Sequence, residues 1–161
     1  MDETKGNAQA RWPDLAGRIE GGRHILAVRV YHEDTDFTGL VYHANFLKFC
    51  ERARSDMVRL AGVSQTDLFS GDGDAEPAAF VVRHMDIDFL KPARMNDLLE
   101  VVTSVADLGG ATMTLLQEVM REDSVIARLH VKIVLVSASG KVMRLDTLVR
   151  AAFERFVNEE V

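Results

Sequence analysis

The sequence has one cysteine, Cys50, among its 161 residues. A lone thiol excludes an intrachain disulfide framework and any zinc site built on several thiolates, and it fits a reducing compartment, so a cytoplasmic location is expected. Long apolar runs are missing too. No stretch reaches the roughly 18 uninterrupted apolar residues of a spanning helix, and residues 1–22 open with Asp2 and Glu3 and lack the apolar core of a secretory signal. Neither export nor membrane insertion is expected. Positive charge is in deficit, with 19 Lys and Arg against 25 Asp and Glu and a formal net charge of −6. Nucleic acid and acidic membrane surfaces are repelled, and an anionic ligand must find a local basic pocket. There is no Gly-x-Ser-x-Gly elbow, no Walker phosphate loop and no dinucleotide fingerprint, which removes support for serine hydrolase, nucleotidase and dehydrogenase chemistry.

What is present suits one soluble globular domain, with 47% apolar and 27% charged residues. Residues 1–22 are polar, with Trp12-Pro13 as the only bulky punctuation and Gly21-Gly22 at the end, and read as a flexible N-terminal tail ahead of a domain over residues 23–161. From His24 to Glu33 a β-branched run through Ile25, Leu26, Val28, Val30 and Tyr31 predicts a strand. Between about Ala44 and Ala61, Phe46, Phe49, Cys50, Ala53, Met57 and Leu60 recur every three or four residues, predicting an amphipathic helix with Gly62 at its C-terminal end. Ser64–Phe69 supplies one further helical turn before a breaking loop over residues 70–77. Four β-like segments follow, at about 79–90, 98–107, 111–121 and 125–137, and sequential antiparallel pairing is the economical topology. Leu148, Ala151, Ala152, Phe153 and Phe156 predict a C-terminal helix over 146–158, without indicating its packing partner. The sum is an α+β domain, a curved antiparallel sheet wrapped around one helix.

Chemistry concentrates at the first strand-to-helix junction, where Glu33, Asp34 and Asp36 crowd a loop that continues Phe37-Thr38-Gly39. Asp and Thr bend chains without doing chemistry, so composition alone permits a plain turn. Position points further. A carboxylate just ahead of a helix start stands beside free backbone N–H groups that can hold an oxyanion, an arrangement suited to acyl transfer. The carboxylate would act as nucleophile or would activate water, and Gly39 permits close approach of chain or ligand.

Glu33-Asp34-Thr35-Asp36, two variable residues, Gly39, then Leu40-Val41-Tyr42-His43 resembles the signature of the YbgC-like acyl-CoA thioesterases, a hot-dog-fold family related to 4-hydroxybenzoyl-CoA thioesterases. The likeness continues through Glu51-Arg52-Ala53-Arg54, Phe80-Val81-Val82-Arg83 and Pro92-Ala93-Arg94, spanning about residues 25–157. The resemblance implies a hot-dog fold, hydrolysis of acyl-CoA to free acid and CoA without metal or redox cofactor, Asp36 as the catalytic carboxylate, and His43 as the residue whose backbone N–H or imidazole faces the thioester carbonyl. Tyr42 and Gly39 are assisting candidates within the motif. His32 departs from the tyrosine that the family often carries there; it is either a hydrogen-bonding or acid–base substitute or a strand residue, and the second reading is preferred. The resemblance also implies a homo-oligomer, dimer or tetramer, and a link to the Tol-Pal cell-envelope system. A non-catalytic acyl-CoA-binding or envelope-interaction role and a dehydratase are the rival readings.

The phosphates of CoA require basic partners, and the candidates are Arg83, Lys91, Arg94, Lys141 and Arg144, with Arg128 and Lys132 behind them. His24, His84 and His130 lack metal-ligand spacing, and Asp72-Gly73-Asp74-Ala75-Glu76 lacks the ligand pattern of a calcium loop, so no metal is expected. Cys50, on the apolar helix face, is expected in the core.

Overall fold

A computed structural model describes residues 15–71 and 76–157. Of the tail expected over residues 1–22, Trp12-Pro13 and the rest of 1–14 lie outside the described residues, as does the loop at 72–75. The remainder is not tail: β1 (Arg18–Glu20) pairs antiparallel with β2 (Arg23–Arg29), so the ordered domain begins before residue 23. Gly21 and Gly22, both at positive φ, make the two-residue turn between them. Such a turn needs φ > 0 at both positions, which glycine adopts without a Cβ clash.

The predicted helix is α1 (His43–Leu60), which buries Phe46, Phe49, Cys50, Ala53 and Met57. Burying each large apolar side chain contributes roughly 1.5–3 kcal/mol, and this stripe is what anchors α1 to the sheet. The helix ends at Gly62, whose φ of 86° lets its N–H donate to the Arg59 carbonyl while the Val63 N–H reaches back to Val58. That pair of bonds satisfies the last carbonyls of the helix. A short helix, α2 (Gln65–Ser70), follows, capped by the Ser64 hydroxyl accepting from the Asp67 N–H.

Four long strands complete the sheet: β3 (Ala78–Phe89), β4 (Leu98–Leu108), β5 (Thr112–Arg121) and β6 (Ser124–Ser137), with a short β7 (Val142–Met143) extending the β5 position beside β6. The strand order is β1-β2-β4-β5-β6-β3, all antiparallel. Of the four segments expected to pair in sequence, therefore, only β4, β5 and β6 do so. β3 lies on the outer edge against β6, because the chain crosses from Phe89 at one edge to Leu98 beside β2, tied down on the way by Leu90 and Lys91 N–H bonds to the Ile126 carbonyl. On β6, Ala127, Leu129, Val131, Ile133 and Leu135 are buried while His130 and Lys132 are exposed, the alternation expected of a half-covered strand.

The C-terminal helix, α3 (Thr147–Glu154), starts at Asp146, whose carboxylate accepts from the Val149 N–H. Its packing partner is the sheet: Phe153 and Phe156 are fully buried, Phe153 meets Phe80 edge-on at 6.0 Å, and the Val105 N–H donates to the Phe156 carbonyl. The whole is a curved antiparallel sheet around one long helix, the hot-dog arrangement.

Candidate active site

The strand expected to run to Glu33 stops at Arg29. The backbone then tightens into a 3-10 turn over His32–Asp34, so His32 is an exposed turn residue, and the preferred reading of it as a strand residue is corrected. The cause is Asp34. Its buried carboxylate accepts from the Tyr31 N–H at 2.8 Å, while its carbonyl accepts from the Tyr42 N–H and the Asn45 amide. Asp34 thus ties the turn to the start of α1 and is occupied structurally.

Residues 35–41 form a miniature hairpin. Thr35 pairs with Val41, the Asp36 N–H donates to the Leu40 carbonyl, and the Gly39 N–H donates to the Asp36 carbonyl at a φ of 78°. The second arm leans on the segment the sequence marks as Pro92-Ala93-Arg94: the Val41 N–H donates to the buried Ala93 carbonyl, and Leu40 bridges Arg94. The hairpin leaves Asp36 partly exposed, with one carboxylate oxygen, Oδ1, accepting from both the Thr38 N–H at 2.8 Å and the Thr38 hydroxyl at 2.5 Å. These bonds, with the nearby positive potential of His43 as a smaller cause, hold the Asp36 carboxyl below its usual range. Asp36 is ionised at neutral pH, and its Oδ2 has no partner among the described residues.

Immediately after the hairpin comes the N-terminus of α1. Tyr42 is the N-cap residue but gives no side-chain cap, and no acidic residue lies in the first turn. Free N–H groups and the positive end of the helix dipole therefore face outward beside an ionised carboxylate. His43, the first helical residue, is exposed, and its ring lies 4.5 Å from that of Tyr42 and 6.1 Å from that of Phe89. Leu40, Val41, His43, Phe46, Phe89 and Lys91 are among the residues lining a cleft of about 270 Å³ here. The sequence did not single out Thr38, Phe46 or Phe89 as site residues. Thr38 was detectable, since a Thr two positions after an Asp is a turn pattern in which the carboxylate accepts locally.

The basic candidates separate. Lys91 borders the cleft and donates to the Ser124 hydroxyl, and Arg94 adjoins Leu40. Arg83 is exposed at the bulge of β3, midway along the edge. Lys141 and Arg144 lie beyond the far end of β6: Lys91 bonds at Ile126 and Lys141 at Ser137, a separation of roughly 35 Å along an extended strand. Arg128 is occupied by Glu118. Of the histidines set aside, His24 is buried against Asp56, His130 contacts Asp86, and His84 is exposed. Cys50 is fully buried, and burial pushes its thiol up to about 12, so it is no nucleophile.

Residues 38–127 match the family model described as the thioesterase superfamily. The chain is 40% identical over 99 residues to the acyl-CoA thioester hydrolase YbgC of Escherichia coli O6:H1, covering 62% of this chain and 70% of that one. It is 39% identical over 127 residues to the acyl-CoA thioesterase YbgC of Haemophilus influenzae, covering 78% and 90%. Among solved structures, a probable thioesterase from Bartonella henselae superposes with a TM-score of 0.73 at 41% identity, over 77% of this chain and 99% of that one. A 1,4-dihydroxy-2-naphthoyl-CoA thioesterase from Synechocystis does so with a TM-score of 0.72 at 25% identity, over 81% and 95%. The match spans more than half of the chain, contains the uncapped helix start and begins two residues after Asp36, and the chain belongs to the thioesterase superfamily.

Proposed function

We infer that this chain is an acyl-CoA thioesterase in which Asp36 attacks the thioester or activates water beside the N-terminus of α1. The observation that carries this reading is the ionised Asp36, with Oδ1 fixed by Thr38 and Oδ2 free, next to a helix start with no side-chain cap. A thioester carbonyl at the cleft would have its oxygen turned to the first-turn N–H groups, which stabilise the developing oxyanion. In the nucleophilic route Oδ2 bonds to the carbonyl carbon, CoA leaves as its thiolate, and water then cleaves the acyl anhydride. In the general-base route Oδ2 takes a proton from the water that attacks. Leu40, Phe46 and Phe89 offer the acyl group an apolar wall, and Lys91, which lines the cleft, and Arg94, which bridges Leu40, are the basic groups this reading assigns to the CoA phosphates.

The chain works, in this reading, as a homo-oligomer. β3 is an outer strand exposing Val81, Val82 and Phe89. Antiparallel pairing of β3 with a second copy, in the register that sets Met85 opposite Asp86, would place Arg83 of each copy opposite Asp88 of the other, a self-complementary charge pair. Among the described residues no helix is long and apolar enough to cross a membrane. A cytoplasmic location rests on the single cysteine, and Tol-Pal association rests on the family resemblance alone.

Single-turnover hydrolysis of an acyl-CoA in heavy-oxygen water tests the chemistry. Label in the Asp36 carboxylate supports the anhydride route, and label confined to the released acid disfavours it. Undiminished thiol release by Asp36→Asn would refute both.

A further inference from the structure

Oxyanion stabilisation needs donors that are free, and acyl transfer needs them fixed relative to the attacking group. At the start of α1 two groups meet the first condition. The Tyr42 N–H donates to the Asp34 carbonyl and the Asn45 N–H to the Tyr42 carbonyl, while the N–H groups of His43 and Ala44, lying between them, have no partner among the described residues. The carboxylate that must face them sits on a unit that closes on itself. The hairpin carrying Asp36 is held by the Thr35–Val41 bridge, by the Asp36 N–H bond to the Leu40 carbonyl and by the two Thr38 bonds to Oδ1. None of these bonds reaches α1.

One side chain makes the connection. Asn45, partly buried in the first turn of α1, donates through Nδ2 to the Asp34 carbonyl at 2.8 Å. Among the described residues this is the only side-chain hydrogen bond between α1 and residues 31–41. The carbonyl it holds belongs to the residue just before the hairpin, whose own carboxylate is tied to the Tyr31 N–H at 2.8 Å. Asn45 therefore clamps the first arm of the hairpin to the helical turn that presents the free N–H groups. The helix itself does not require the clamp, because the Asn45 N–H is already bonded and the buried stripe of α1 anchors it to the sheet.

We propose that Asn45 is a positioning residue for acyl transfer, holding Asp36 in place relative to the His43 and Ala44 N–H groups so that carboxylate and oxyanion donors act on one carbonyl. The inference rests on the thioesterase reading and adds to it the group that sets the geometry. Its effect runs through the backbone of Asp34, two residues before Asp36.

Steady-state thiol release from an acyl-CoA by the full-length wild type, Asn45→Ala and Asp36→Asn, with thermal midpoints on the same samples, tests the proposal. Asn45→Ala leaves the Asp34 carbonyl its bond from the Tyr42 N–H and should fold. Its kcat should fall about 10- to 100-fold, since a misplacement of about 1 Å costs up to about 10²-fold. KM should stay within about threefold of wild type, the split expected when an interaction made only in the transition state is lost. The acid limb of kcat should not move, because Thr38 and not Asn45 bonds the Asp36 carboxylate. Should Asn45→Ala fail to fold, Asn45→Leu, which keeps a side chain of similar size without a donor, is read in the same way. Wild-type kcat in a folded variant, a loss carried by KM alone, a loss that only tracks the folded fraction, or failure of both variants to fold overturns the proposal. If Asp36→Asn loses thiol release in the same assays, any such result counts against Asn45 alone; if Asp36→Asn turns over like wild type, the thioesterase reading falls and takes this inference with it.

Discussion

Asp36 and Asp56 flank the two ends of the same helix, and both carboxyls titrate below their ordinary range, yet the causes are opposite. Asp56 sits nearly buried in α1, where burial alone would raise it, and it is held down by bonds from His24 at 2.7 Å, the Gly17 N–H at 2.8 Å and Arg59. Every one of those partners comes from folding, and none leaves room for a ligand. A Cβ added to Gly17 would lie 2.7 Å from the Asp56 Oδ2 and 2.6 Å from the Ile25 carbonyl, so even the chain passing this point is closely fitted. Asp36 is lowered by a residue two positions away, on a hairpin that needs no distant partner for its carboxylate. A depressed carboxyl therefore does not by itself mark an active site. What sets Asp36 apart from Asp56 is access, with one oxygen free on the hairpin that leads into the cleft-lining Leu40, Val41 and His43.

Removing the two carboxylates should separate these roles. Asp36→Asn keeps the size and the Thr38 contacts, so its thermal midpoint should match wild type while turnover of acyl-CoA falls by about 10²- to 10⁴-fold, the usual contribution of one positioned acid–base group. Thiol release and circular dichroism on the same samples check both halves. Asp56→Ala should do the reverse. Breaking a buried pair from one side costs about 3–5 kcal/mol, read as a drop in denaturant midpoint, while the protein that remains folded should keep wild-type kcat. Loss of kcat in folded Asp56→Ala would place the dyad in the catalytic apparatus and break the contrast.

The sequence revealed these two sites unequally, for a physical reason. α1 and the four long strands were legible because each repeats its period several times, and Asp36 because its motif is contiguous. β1 has only three residues, too few for a period, and the Gly21-Gly22 turn that would have exposed it reads equally as the end of a tail. The placement of β3 beside β6 depends on a crossover after Phe89 that turn residues do not encode. His24 and Asp56 lie 32 positions apart on different elements, and only the packed structure joins them. Arg54 belongs to the Glu51-Arg52-Ala53-Arg54 motif in the sequence, but its bond to Gln117, 63 positions away, is a property of the fold.

The buried dyad carries a pH dependence of its own. His24 is fully buried, donates through Nε2 to Asp56, and has an Nδ1 with no partner among the described residues, while Arg59 adds a nearby positive charge. Burial, the largest influence, lowers its pKa from 6.5, so the unfolded chain takes up a proton before the native state does. Native stability is therefore complete above 6.5 and declines as pH falls below it toward the folded value. Asp56, lowered from 3.8, contributes stability that persists until pH drops through its still lower folded value. Thermal midpoints should begin to fall just below pH 6.5 and fall again below 3.8. His24→Gln, which can still donate to Asp56 but does not titrate, should flatten the first decline and leave the second. A first decline unchanged in that variant would transfer it to another histidine.

Thr38 gives the smallest and most local effect. Thr38→Val removes the hydroxyl bond to Asp36 Oδ1 and keeps the backbone N–H bond, so the Asp36 carboxyl should titrate closer to 3.8 than in the wild type. Because only the ionised carboxylate can attack or accept a proton, the acid limb of kcat/KM should move to higher pH. At neutral pH Asp36 remains ionised in both proteins, and the loss there should be limited to about threefold to tenfold, the worth of one ordinary hydrogen bond in holding the carboxylate. Rapid thiol-release assays, completed before acid unfolding, measure both quantities. An acid limb that does not move would mean that some group other than Asp36 governs it, and the comparison with Asp56 would then rest on geometry alone.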